Sequence, residues 1–558
     1  MIREIELKFG SAPGADNTSF QVTPVTIFVG PNNSGKSRIL TELQEFALTP
    51  NGKVETLLLE RIEFSGLSAE RAAATLSAIR SEPRGNEQVY HDHAFMESAQ
   101  GGGRFLVRSE RLIPALIDPA SHKDVLIHSL LRHLILKLDG PGRVNLVNQQ
   151  PAGDLQLRSL HSLGVLFTNK VKREEVRRIL EEAFGSYFVI DPTLLGSLRI
   201  RLSSRPPTDD MEELNIHAAG VAFHSQATPI DATSDGVKAF TGITMELIAG
   251  EHPIILVDEP EAFLHPALAA KLGLELARAA VATDKRVFLS THSPQLVMGC
   301  IQSGVPINIV RLTYRSGVAT ARLLPSNEIL ELMRNPLLRS TGVLNGLFYE
   351  NVVITESDAD RAFYQEINER LLRYKPHWGI PNCLFLNSQN KHTVQTIMRP
   401  LRRLGIPTVG IVDVDLLRDT GSQWAGPLRG ANVASALEPS LATLRTSVTG
   451  AMDKSGRDMK RDGGIFILDG DNLAAAKSLL SQLSQYGLFV VPSGELESWL
   501  KHLEAKGHGP SWLINMFERM GEDPAAPDYV LPGENDVWEF MLCIREWLMD
   551  PERLGIPS

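Results

Sequence analysis

The sequence predicts an α/β protein built from two α/β domains, and three observations support this prediction. Short apolar runs alternate with segments of helical periodicity, several of these runs end in acidic residues, and the same pattern begins again near residue 330. Alternation of this kind is typical of parallel sheets covered by helices. The predicted domains are 1–335, with a mainly helical insertion over about 70–220, and 345–558, which ends in a helical segment.

Composition narrows the class of protein. The chain has 558 residues, too many for one ordinary core, and an apolar content of 43% supports globular packing throughout. A net charge of −10 argues against a generally basic surface but leaves room for a local basic channel. Three widely separated cysteines disfavour a disulfide framework or a zinc knuckle. No apolar run reaches the length of a membrane span and the N-terminus lacks the hydrophobic stretch of a signal peptide, so we expect a cytoplasmic protein with no membrane partner.

The stretch "FVGPNNSGKSRIL", residues 28–40, has the spacing of a phosphate-binding loop between a strand and a helix. Backbone N–H groups of such a loop point at one place, and the helix N-terminus adds positive potential, so phosphate oxygens bind there. The alternative is a glycine and asparagine turn that contains a lysine. The residues predicted to bind ATP are Gly30, Asn32, Asn33, Ser34, Gly35, Lys36, Ser37 and Arg38.

Two later segments supply the other groups that ATP hydrolysis needs. "IILVDEPEAFLHP" carries Asp258 and Glu259 at a strand end, and "FLSTHSP" carries His292 at another. We expect Lys36 to neutralise the β and γ phosphates, while Ser37 and Asp258 hold Mg²⁺ through hard oxygen ligands. Glu259 would polarise the attacking water, and His292 could reach the γ phosphate as a hydrogen-bond donor. A lone histidine is more often structural.

In this order, the three segments resemble an ABC-type ATPase head, most of all the heads of DNA-repair and phage-defence ATPases. In that class, a signature segment from one subunit caps the nucleotide bound by the other. "ATSDGVKAF" occupies the expected place, with Ser234 and Gly236 as further ATP-binding residues, although Asp235 replaces one of the usual glycines. The alternative for this segment is a polar loop entering a helix. A signature that acts in trans implies at least a homodimer, and the insertion is a candidate dimerisation element.

The second half places carboxylates after its candidate strands, "NVVITES", "TVGIVDVD", "GIFILDGD" and "GLFVVPSGE". Ligands of open α/β sheets bind at the carboxyl ends of strands, so these carboxylates could converge. Glu356 and Asp360 lie four apart where a strand gives way to a helix, and Asp413 and Asp415 lie two apart at the next strand end. Four close carboxylates repel one another unless a cation lies between them, and Mg²⁺ or Mn²⁺ prefers such oxygens.

This order of acidic residues resembles the Toprim fold of topoisomerases, primases and certain nucleases. Glu495 and Glu497 in "SGELESWL" resemble the later acidic element that completes a second metal position, and two metals can stabilise both the attacking and the leaving oxygen of a phosphodiester. Ser357 departs from the glycine that commonly follows the first glutamate of this fold. For any one acidic pair alone, a helix N-cap or a solvated turn is the alternative.

Other charged segments of the second half receive simpler interpretations. Asp469 and Asp471 in "LDGDN" are interpreted as a turn, with metal contact as the alternative. The basic runs "RPLRRLG" and "KSGRDMKR" could follow a phosphate backbone, but solvated faces are the favoured interpretation.

An ABC-type ATPase domain with a helical insertion, followed by a Toprim α/β domain with C-terminal helices, resembles the OLD (overcoming lysogenization defect) family of ATP-dependent nucleases, which includes the Gabija nuclease subunit of anti-phage defence. The resemblance implies an ATPase and Mg²⁺- or Mn²⁺-dependent endonuclease, with Glu259, His292, Glu356, Asp413 and Asp415 as catalytic residues. It implies a homodimer or higher homo-oligomer, DNA as the first substrate, and a second defence-system protein as a candidate partner. The alternatives are an ATPase whose degenerate Toprim half binds without cutting, and an effector that cleaves RNA.

Overall fold

The computed structural model describes residues 1–49, 55–84, 87–88, 90–97, 104–159, 161–315, 317–324, 326–334 and 342–556. The chain divides into two compact units, Met1–Leu330 and Glu331–Ser558. Among the residues described, no helix combines the length and the apolar content that crossing a membrane requires.

The first unit contains sixteen strands among its described residues. They are β1 Ile2–Leu7, β2 Ser19–Gln21, β3 Val25–Val29, β4 Leu59–Phe64, β5 Arg80–Ser81, β6 His93–Glu97, β7 Arg104–Arg108, β8 Ile135–Leu138, β9 Gln150–Pro151, β10 Tyr187–Asp191, β11 Ser197–Ser203, β12 Thr228–Pro229, β13 Ile254–Asp258, β14 Arg286–Ser290, β15 Ile307–Arg315 and β16 Val318–Leu324. Its helices are α1 Lys36–Leu48, α2 Ala69–Ile79, α3 Leu112–Ile117, α4 Lys123–Val125, α5 Arg132–Leu134, α6 Gly140–Asn145, α7 Ser162–Thr168, α8 Lys170–Phe184, α9 Asp210–Leu214, α10 Ala218–Gln226, α11 Asp235–Ala249, α12 Pro266–Ala282 and α13 Pro294–Gln302, and α14 Ser326–Arg334 spans the boundary. A π-helical stretch, Leu126–Leu131, joins α4 to α5.

Among its described residues, the second unit contains four strands and seven α-helices. The strands are β17 Asn351–Thr355, β18 Cys383–Asn387, β19 Thr408–Val412 and β20 Leu488–Val490. The helices are α15 Asp358–Tyr374, α16 Val394–Arg403, α17 Gly421–Gly430, α18 Glu438–Lys454, α19 Gly470–Ser484, α20 Pro510–Met520 and α21 Val537–Met549.

The main sheet of the first unit has the strand order β16-β15-β3-β14-β13-β8. The five strands from β15 to β8 run parallel, and β16 pairs antiparallel with β15. Every residue of β3 is buried, as expected for a strand that helices cover on both faces. The parallel arrangement predicted for "IILVD" and "RVFLS" is therefore confirmed.

The segment over about 70–220 differs from the predicted helical insertion. It contains long helices, α2 and α8 among them, but an antiparallel sheet, β5-β6-β7, and the hairpin β10–β11 lie between or beside these helices. The strand β8 joins the main sheet as its edge, parallel to β13. Short apolar runs such as "ILKL" carry no 3.6-residue periodicity. The prediction of a mainly helical insertion relied on the long helices and therefore did not include these strands.

The second unit contains a parallel sheet in the order β18-β17-β19-β20. Three of its predicted strands are present, but "GIFI" forms a 3₁₀ helix, Gly464–Ile467, instead of a strand. Gly464 has a φ of 63° and packs against a carbonyl, since a Cβ there would lie 2.0 Å from the oxygen of Pro492. The sheet instead takes β18, a short run that sequence analysis missed. Helices α20 and α21 complete the unit's core, in agreement with the predicted C-terminal helices.

Candidate functional site

The loop between β3 and α1 has a backbone that only glycine fits at two positions. Gly30 has a φ of 145°, and a Cβ there would lie 2.0 Å from the carbonyl oxygen of Leu312. Gly35 has a φ of 94°, and a Cβ there would lie 2.8 Å from a methyl carbon of Leu58. These two glycines set the tight turn from which α1 begins at Lys36. The helix N-terminus and the loop N–H groups form the kind of cradle that binds phosphate.

The side chain of Lys36 lies inside this loop. It is 5% exposed, and its Nζ donates hydrogen bonds to the carbonyl oxygens of Gly30 at 2.9 Å and Pro31 at 2.6 Å. Burial lowers the pKa of Lys36 to about 8, although Glu259 and Asp258 act in the opposite direction. The loop therefore holds a positive group beside its own N–H groups, which fits the β and γ phosphates of a nucleotide.

Ser37 and Asp258 form a pair of oxygen ligands next to the loop. The Ser37 hydroxyl donates to Asp258 Oδ1 at 2.8 Å, and the Ser290 hydroxyl donates to the same oxygen. Ser290 lies opposite Asp258 in the register of β13 and β14, which explains this second contact. A hydroxyl and a carboxylate are ligands that Mg²⁺ takes beside a nucleotide, so these residues fit the cation.

Glu259 and His292 follow the ends of neighbouring strands. Their closest atoms, His292 Nε2 and Glu259 Oε1, lie 3.6 Å apart, and both side chains reach solvent. Glu259 has a φ of 50°, in the left-handed region. Burial and then the charge of Lys36 lower the pKa of His292, which favours the neutral imidazole. A carboxylate beside a neutral imidazole can orient a water molecule for attack.

Two residues that sequence analysis missed hold this arrangement in place. Arg143, at 3% exposure, donates through Nη1 to the carbonyl oxygen of Asp258 at 2.6 Å and to that of Glu259. Glu261 accepts from the Thr291 hydroxyl at 2.7 Å and from the backbone N–H of His292 at 2.9 Å. Arg143 stands more than a hundred residues from these partners, so no local spacing indicated its role.

The remaining loop residues have different environments. Asn32 and Asn33 are exposed, whereas Ser34 is buried. The guanidinium of Arg38 pairs with Glu42 at 3.0 Å and with Glu45 at 3.3 Å, along α1. The side chain of Arg38 is thus engaged within its own helix, and its backbone N–H is the group left to face a phosphate.

The predicted signature residues lie at the start of α11. Ser234 is the N-cap, its hydroxyl accepts from the backbone N–H of Val237 at 3.4 Å, and it is exposed. Gly236 is buried. A Cβ there would lie 2.5 Å from the carbonyl oxygen of Phe263, so a larger residue would not fit. The Phe263 side chain is itself 69% exposed. The predicted signature residues therefore form an exposed helix N-terminus beside the segment that follows Glu259.

In the second unit, Glu356, Asp413 and Asp415 converge as predicted. Each offers one carboxylate oxygen, and these three oxygens lie within 4.8 Å of one another. Glu356 follows β17 and Asp413 follows the parallel neighbour β19, so the sheet brings them to one edge. Glu356 Oε1 accepts from the backbone N–H of Asp413 at 2.9 Å. Asp415 Oδ1 is buried and has no hydrogen-bond partner among the described residues.

These groups fit a divalent cation. Burial, and then the neighbouring charge of Asp413, raises the pKa of Glu356. Burial also raises the pKa of Asp413, against the opposing effect of Lys460. Ionised carboxylates this close repel one another, and a buried carboxylate oxygen without a partner is costly. Mg²⁺ or Mn²⁺ would remove both penalties.

Asp360, the fourth predicted ligand of this group, has a structural role in the same place. It forms a capping box with Ser357 at the start of α15: Asp360 Oδ2 accepts from the Ser357 backbone N–H at 3.1 Å, and the Ser357 hydroxyl accepts from the Asp360 N–H at 3.3 Å. Asp360 thus stands next to the cluster while one of its oxygens is already bound. The serine that departs from the expected glycine is what makes this cap.

Two lysines accompany the carboxylates. Lys460 Nζ lies 2.9 Å from Asp413 Oδ2 and 3.8 Å from both Asp415 Oδ2 and Glu495 Oε2. Lys391 Nζ lies 3.1 Å from Asp415 Oδ2 and 3.3 Å from Asp419 Oδ2. Sequence analysis placed Lys460 in a solvated basic run and did not single out Lys391, because nothing in the spacing ties either lysine to the carboxylates.

Glu495 and Glu497 form a second group with His508. One ligand atom from each residue lies within 4.8 Å of the others. Glu497 Oε1 accepts from the Gly509 N–H at 2.7 Å and lies 2.7 Å from His508 Nδ1. Glu497 is therefore occupied by the loop around His508, and Lys460 Nζ lies between Glu495 and the first carboxylates, 3.8 Å from Glu495 Oε2.

One family model matches a segment of the first unit. Residues 202–298 match the family described as "AAA domain, putative AbiEii toxin, Type IV TA system". This region contains helix α11 with Ser234 and Gly236 at its start, the strand-end residues Asp258 and Glu259, and His292.

Several solved structures also match at low identity. One is an SmcHead bound to the C-winged helix domain of ScpA, at 14% identity and a TM-score of 0.34, covering 59% of this chain and 99% of that one. Another is the SMC head domain from Thermotoga maritima, at 14% identity and a TM-score of 0.29, covering 58% and 99%. A third is an Smc head domain derived from Pyrococcus furiosus, at 14% identity and a TM-score of 0.30, covering 60% and 98%. Likeness of this degree carries no further weight. Curated proteins gave no match.

Proposed function

We propose that this chain is an ATP-binding, metal-dependent endonuclease that cleaves nucleic-acid phosphodiesters, with DNA as its first substrate. The observation that carries the proposal is the convergence of Glu356, Asp413 and Asp415, whose ligand oxygens lie within 4.8 Å, in a chain that also holds a phosphate loop. Three carboxylates at adjoining strand ends are a costly arrangement unless they bind a cation.

The nucleotide half of the proposal depends on five side chains. Lys36 would bind the β and γ phosphates in place of its present carbonyl partners, and Ser37 with Asp258 would hold Mg²⁺. Glu259 would orient the water, with His292 at the γ phosphate. Phosphoryl transfer chiefly needs positioning and charge stabilisation, and these groups supply both.

In the nuclease half, Glu356, Asp413 and Asp415 would hold Mg²⁺ or Mn²⁺. A bound divalent ion supplies Lewis-acid stabilisation of the phosphate and lowers the pKa of a bound water. Lys391 orients Asp415 by binding its Oδ2, which leaves the buried Oδ1 available as a ligand. The Glu356 carboxylate is oriented by the backbone N–H of Asp413.

We also propose that the active form is at least a homodimer of the OLD type, acting in anti-phage defence or DNA processing. The exposed Ser234 at the start of α11 supports capping of a second copy's nucleotide, because the helix N-terminus favours negative charge. Nucleotide would then control cleavage by binding two arrangements of the dimer with different affinity. Residues 202–298 match a family described as "AAA domain, putative AbiEii toxin, Type IV TA system", and a toxin whose activity is regulated is consistent with a nuclease that nucleotide controls.

A parallel cleavage assay tests the proposal. Purified protein would be incubated with supercoiled plasmid, linear DNA and tRNA, with Mg²⁺ or Mn²⁺, and with or without ATP. We expect cleavage of DNA that requires the metal and disappears in Asp413→Ala/Asp415→Ala. Cleavage of tRNA alone would assign the site to RNA. Absence of cleavage under all these conditions would contradict the nuclease proposal.

The second candidate is an ATPase whose second unit binds nucleic acid or a partner without cutting. The observation that favours it is the pair of lysines, since Lys460 and Lys391 already neutralise part of the cluster's charge. Metal binding separates the two candidates: a purely structural ion-pair network would show no Mn²⁺ binding that depends on Asp413 and Asp415.

A further inference from the structure

We infer that Lys460 occupies the place of a second metal ion, so that the carboxylate site of the second unit binds one divalent cation and not two. This inference rests on the proposed nuclease function and departs from the two-metal arrangement that Glu495 and Glu497 suggest in sequence. The cation count can nevertheless be measured without any cleavage.

The position of the ammonium group is the first argument. Lys460 Nζ lies between the two acidic groups, 2.9 Å from Asp413 Oδ2 and 3.8 Å from Glu495 Oε2. An ion shared by both groups would need the same two carboxylates. Lys460 already provides one positive charge at that point, and a divalent ion entering there would have to displace it against direct repulsion.

The allocation of carboxylate oxygens is the second argument. Asp413 and Asp415 each present Oδ2 to Lys460, and Lys391 also binds Asp415 Oδ2. Glu356 uses Oε1 to accept from the Asp413 N–H. The opposite oxygen of Asp415 is buried without a hydrogen-bond partner among the described residues. Outside these contacts each of the three residues keeps one carboxylate oxygen, and together these oxygens can bind one cation.

Lys460 is also held at its backbone, unlike a lysine on a free surface. Gly494 has a φ of 127°, and a Cβ there would lie 2.1 Å from the carbonyl oxygen of Lys460. The preceding residue, Met459, is completely buried, and the Lys460 N–H donates to Asp458 Oδ1 at 2.9 Å. Close packing of the Gly494 loop against this segment fixes where the Lys460 side chain begins.

Glu497 is poorly placed to complete a second metal position beside Asp413 and Asp415. Its Oε1 is bound to the Gly509 N–H and lies beside His508, and the His508 side chain is 75% exposed. A fixed ammonium has a chemical advantage at this point, because it can bind a phosphate oxygen of a nucleic acid without requiring ligands of its own. The site would then present one cation and one lysine to the phosphodiester.

Titration calorimetry with Mn²⁺ on the nucleotide-free full-length protein tests the inference. Binding that Asp413→Ala/Asp415→Ala abolishes is assigned to this site. We expect one such Mn²⁺ per chain in the wild type and two in Lys460→Met, which removes the charge while keeping a side chain of similar length. Lys460→Arg should still bind one, and so should Lys454→Met, an exposed control at the end of α18.

Two Mn²⁺ ions per chain in the wild type would overturn the inference. A single ion in Lys460→Met, with a circular dichroism melting curve like that of the wild type, would overturn it as well, because Lys460 would not be what excludes the second ion. One ion in the wild type and two in Lys460→Met support it whatever the cleavage result. Absence of cleavage with this stoichiometry would contradict the proposed nuclease alone.

Discussion

The hydroxyl of Ser37 donates a hydrogen bond of 2.8 Å to the carboxylate of Asp258, a residue 221 positions further along the chain. The bond joins the first turn of α1 to the end of β13. It brings the loop between β3 and α1 next to the later acidic element, as the proposed nucleotide site requires. The hydroxyl oxygen of Ser37 and the carboxylate oxygens of Asp258 are both types of ligand that Mg²⁺ accepts.

Lys36→Ala should weaken ATP binding. The substitution removes the buried ammonium that faces the loop, and loss of a charge-assisted hydrogen bond of this kind corresponds to about 10- to 100-fold in affinity. Equilibrium titration with a fluorescent ATP analogue measures the effect. Lys170→Ala, which removes an exposed lysine paired with Asp210, serves as the control and should leave the affinity unchanged. Equal affinities for both variants would contradict the phosphate-loop assignment.

Glu259→Gln should preserve ATP binding and slow hydrolysis by on the order of 100-fold, because an amide cannot accept a proton from the attacking water as a carboxylate does. Phosphate release under single-turnover conditions measures the rate. Glu45→Gln, on the exposed side of α1, is the matched control. If Glu259→Gln hydrolyses ATP at the wild-type rate, the water is oriented by another group, with His292 the first candidate.

The parts of the proposed nucleotide site can be recognised in the sequence because each part is local. Loop glycines, the lysine and the strand-end carboxylates each follow a short pattern of strand, turn and helix. Residues such as Arg143 and Lys391 reach the two sites only through the tertiary fold, and no spacing along the chain reveals them. In the "GIFI" run a local pattern is misleading: its apolar composition is typical of a strand, but the positive φ of Gly464 places the run in a 3₁₀ helix.

The second unit shows the same division. Glu356, Asp413 and Asp415 follow strands, and parallel strands carry them to one edge, so their convergence could be predicted. The separation of Glu495 from this group by Lys460 could not, because it depends on how the loop around Gly494 packs against the Lys460 backbone. Long-range packing of this kind leaves no periodic signal in the sequence.

The stability of the first unit should fall at acid pH through Asp191. Burial alone would raise the pKa of Asp191, but hydrogen bonds from Thr193 and Arg201 lower it to about 2. Because the folded-state pKa lies below the ordinary value of 3.8, its stabilisation is complete above pH 4 and is lost as pH falls toward 2. Asp191→Asn should reduce the free energy of unfolding near pH 7 by about 1 to 2 kcal/mol.

Urea denaturation at pH 7, 4 and 3 checks this prediction. The difference between wild type and Asp191→Asn should shrink at the lowest pH, because the unfolded wild-type aspartate, with its higher pKa, then binds a proton while most of the folded state does not. The exposed Asp231→Asn is the control and should leave the urea midpoint unchanged. A difference between wild type and Asp191→Asn that stays constant from pH 7 to pH 3 would show that packing, and not charge, accounts for the effect.

Subunit mixing should reveal whether Ser234 acts across a dimer. A Lys36→Ala subunit lacks its own phosphate loop charge but keeps its signature, while a Ser234→Arg subunit has the opposite defect. If capping occurs in trans, a heterodimer contains one intact site of two equivalent ones and recovers half of the wild-type hydrolysis. Each variant alone should be inactive. Failure to recover activity in heterodimers isolated with two affinity tags would argue for capping within one chain.

Replacing both Asp413 and Asp415 with alanine should abolish Mg²⁺- or Mn²⁺-dependent cleavage while leaving ATP hydrolysis nearly unchanged. The two substitutions delete two of the three oxygens that lie within 4.8 Å of one another, whereas Lys36, Ser37 and Asp258 keep all their partners in the other unit. Glu356→Ala should behave in the same way. Plasmid nicking and phosphate release are measured on the same preparations.

Asp469→Ala/Asp471→Ala is the matched control for this last prediction. Both aspartates are exposed at the start of α19 in the same unit, so the variant loses the same two charges without touching the cluster. It should cleave like the wild type, which would separate loss of ligands from loss of net negative charge. Cleavage that persists in Asp413→Ala/Asp415→Ala, in preparations free of contaminating nuclease, would leave an ATPase with a structural second unit. The lysines at 2.9 Å from Asp413 and 3.1 Å from Asp415 would then be ordinary ion-pair partners that stabilise a half-buried acidic cluster.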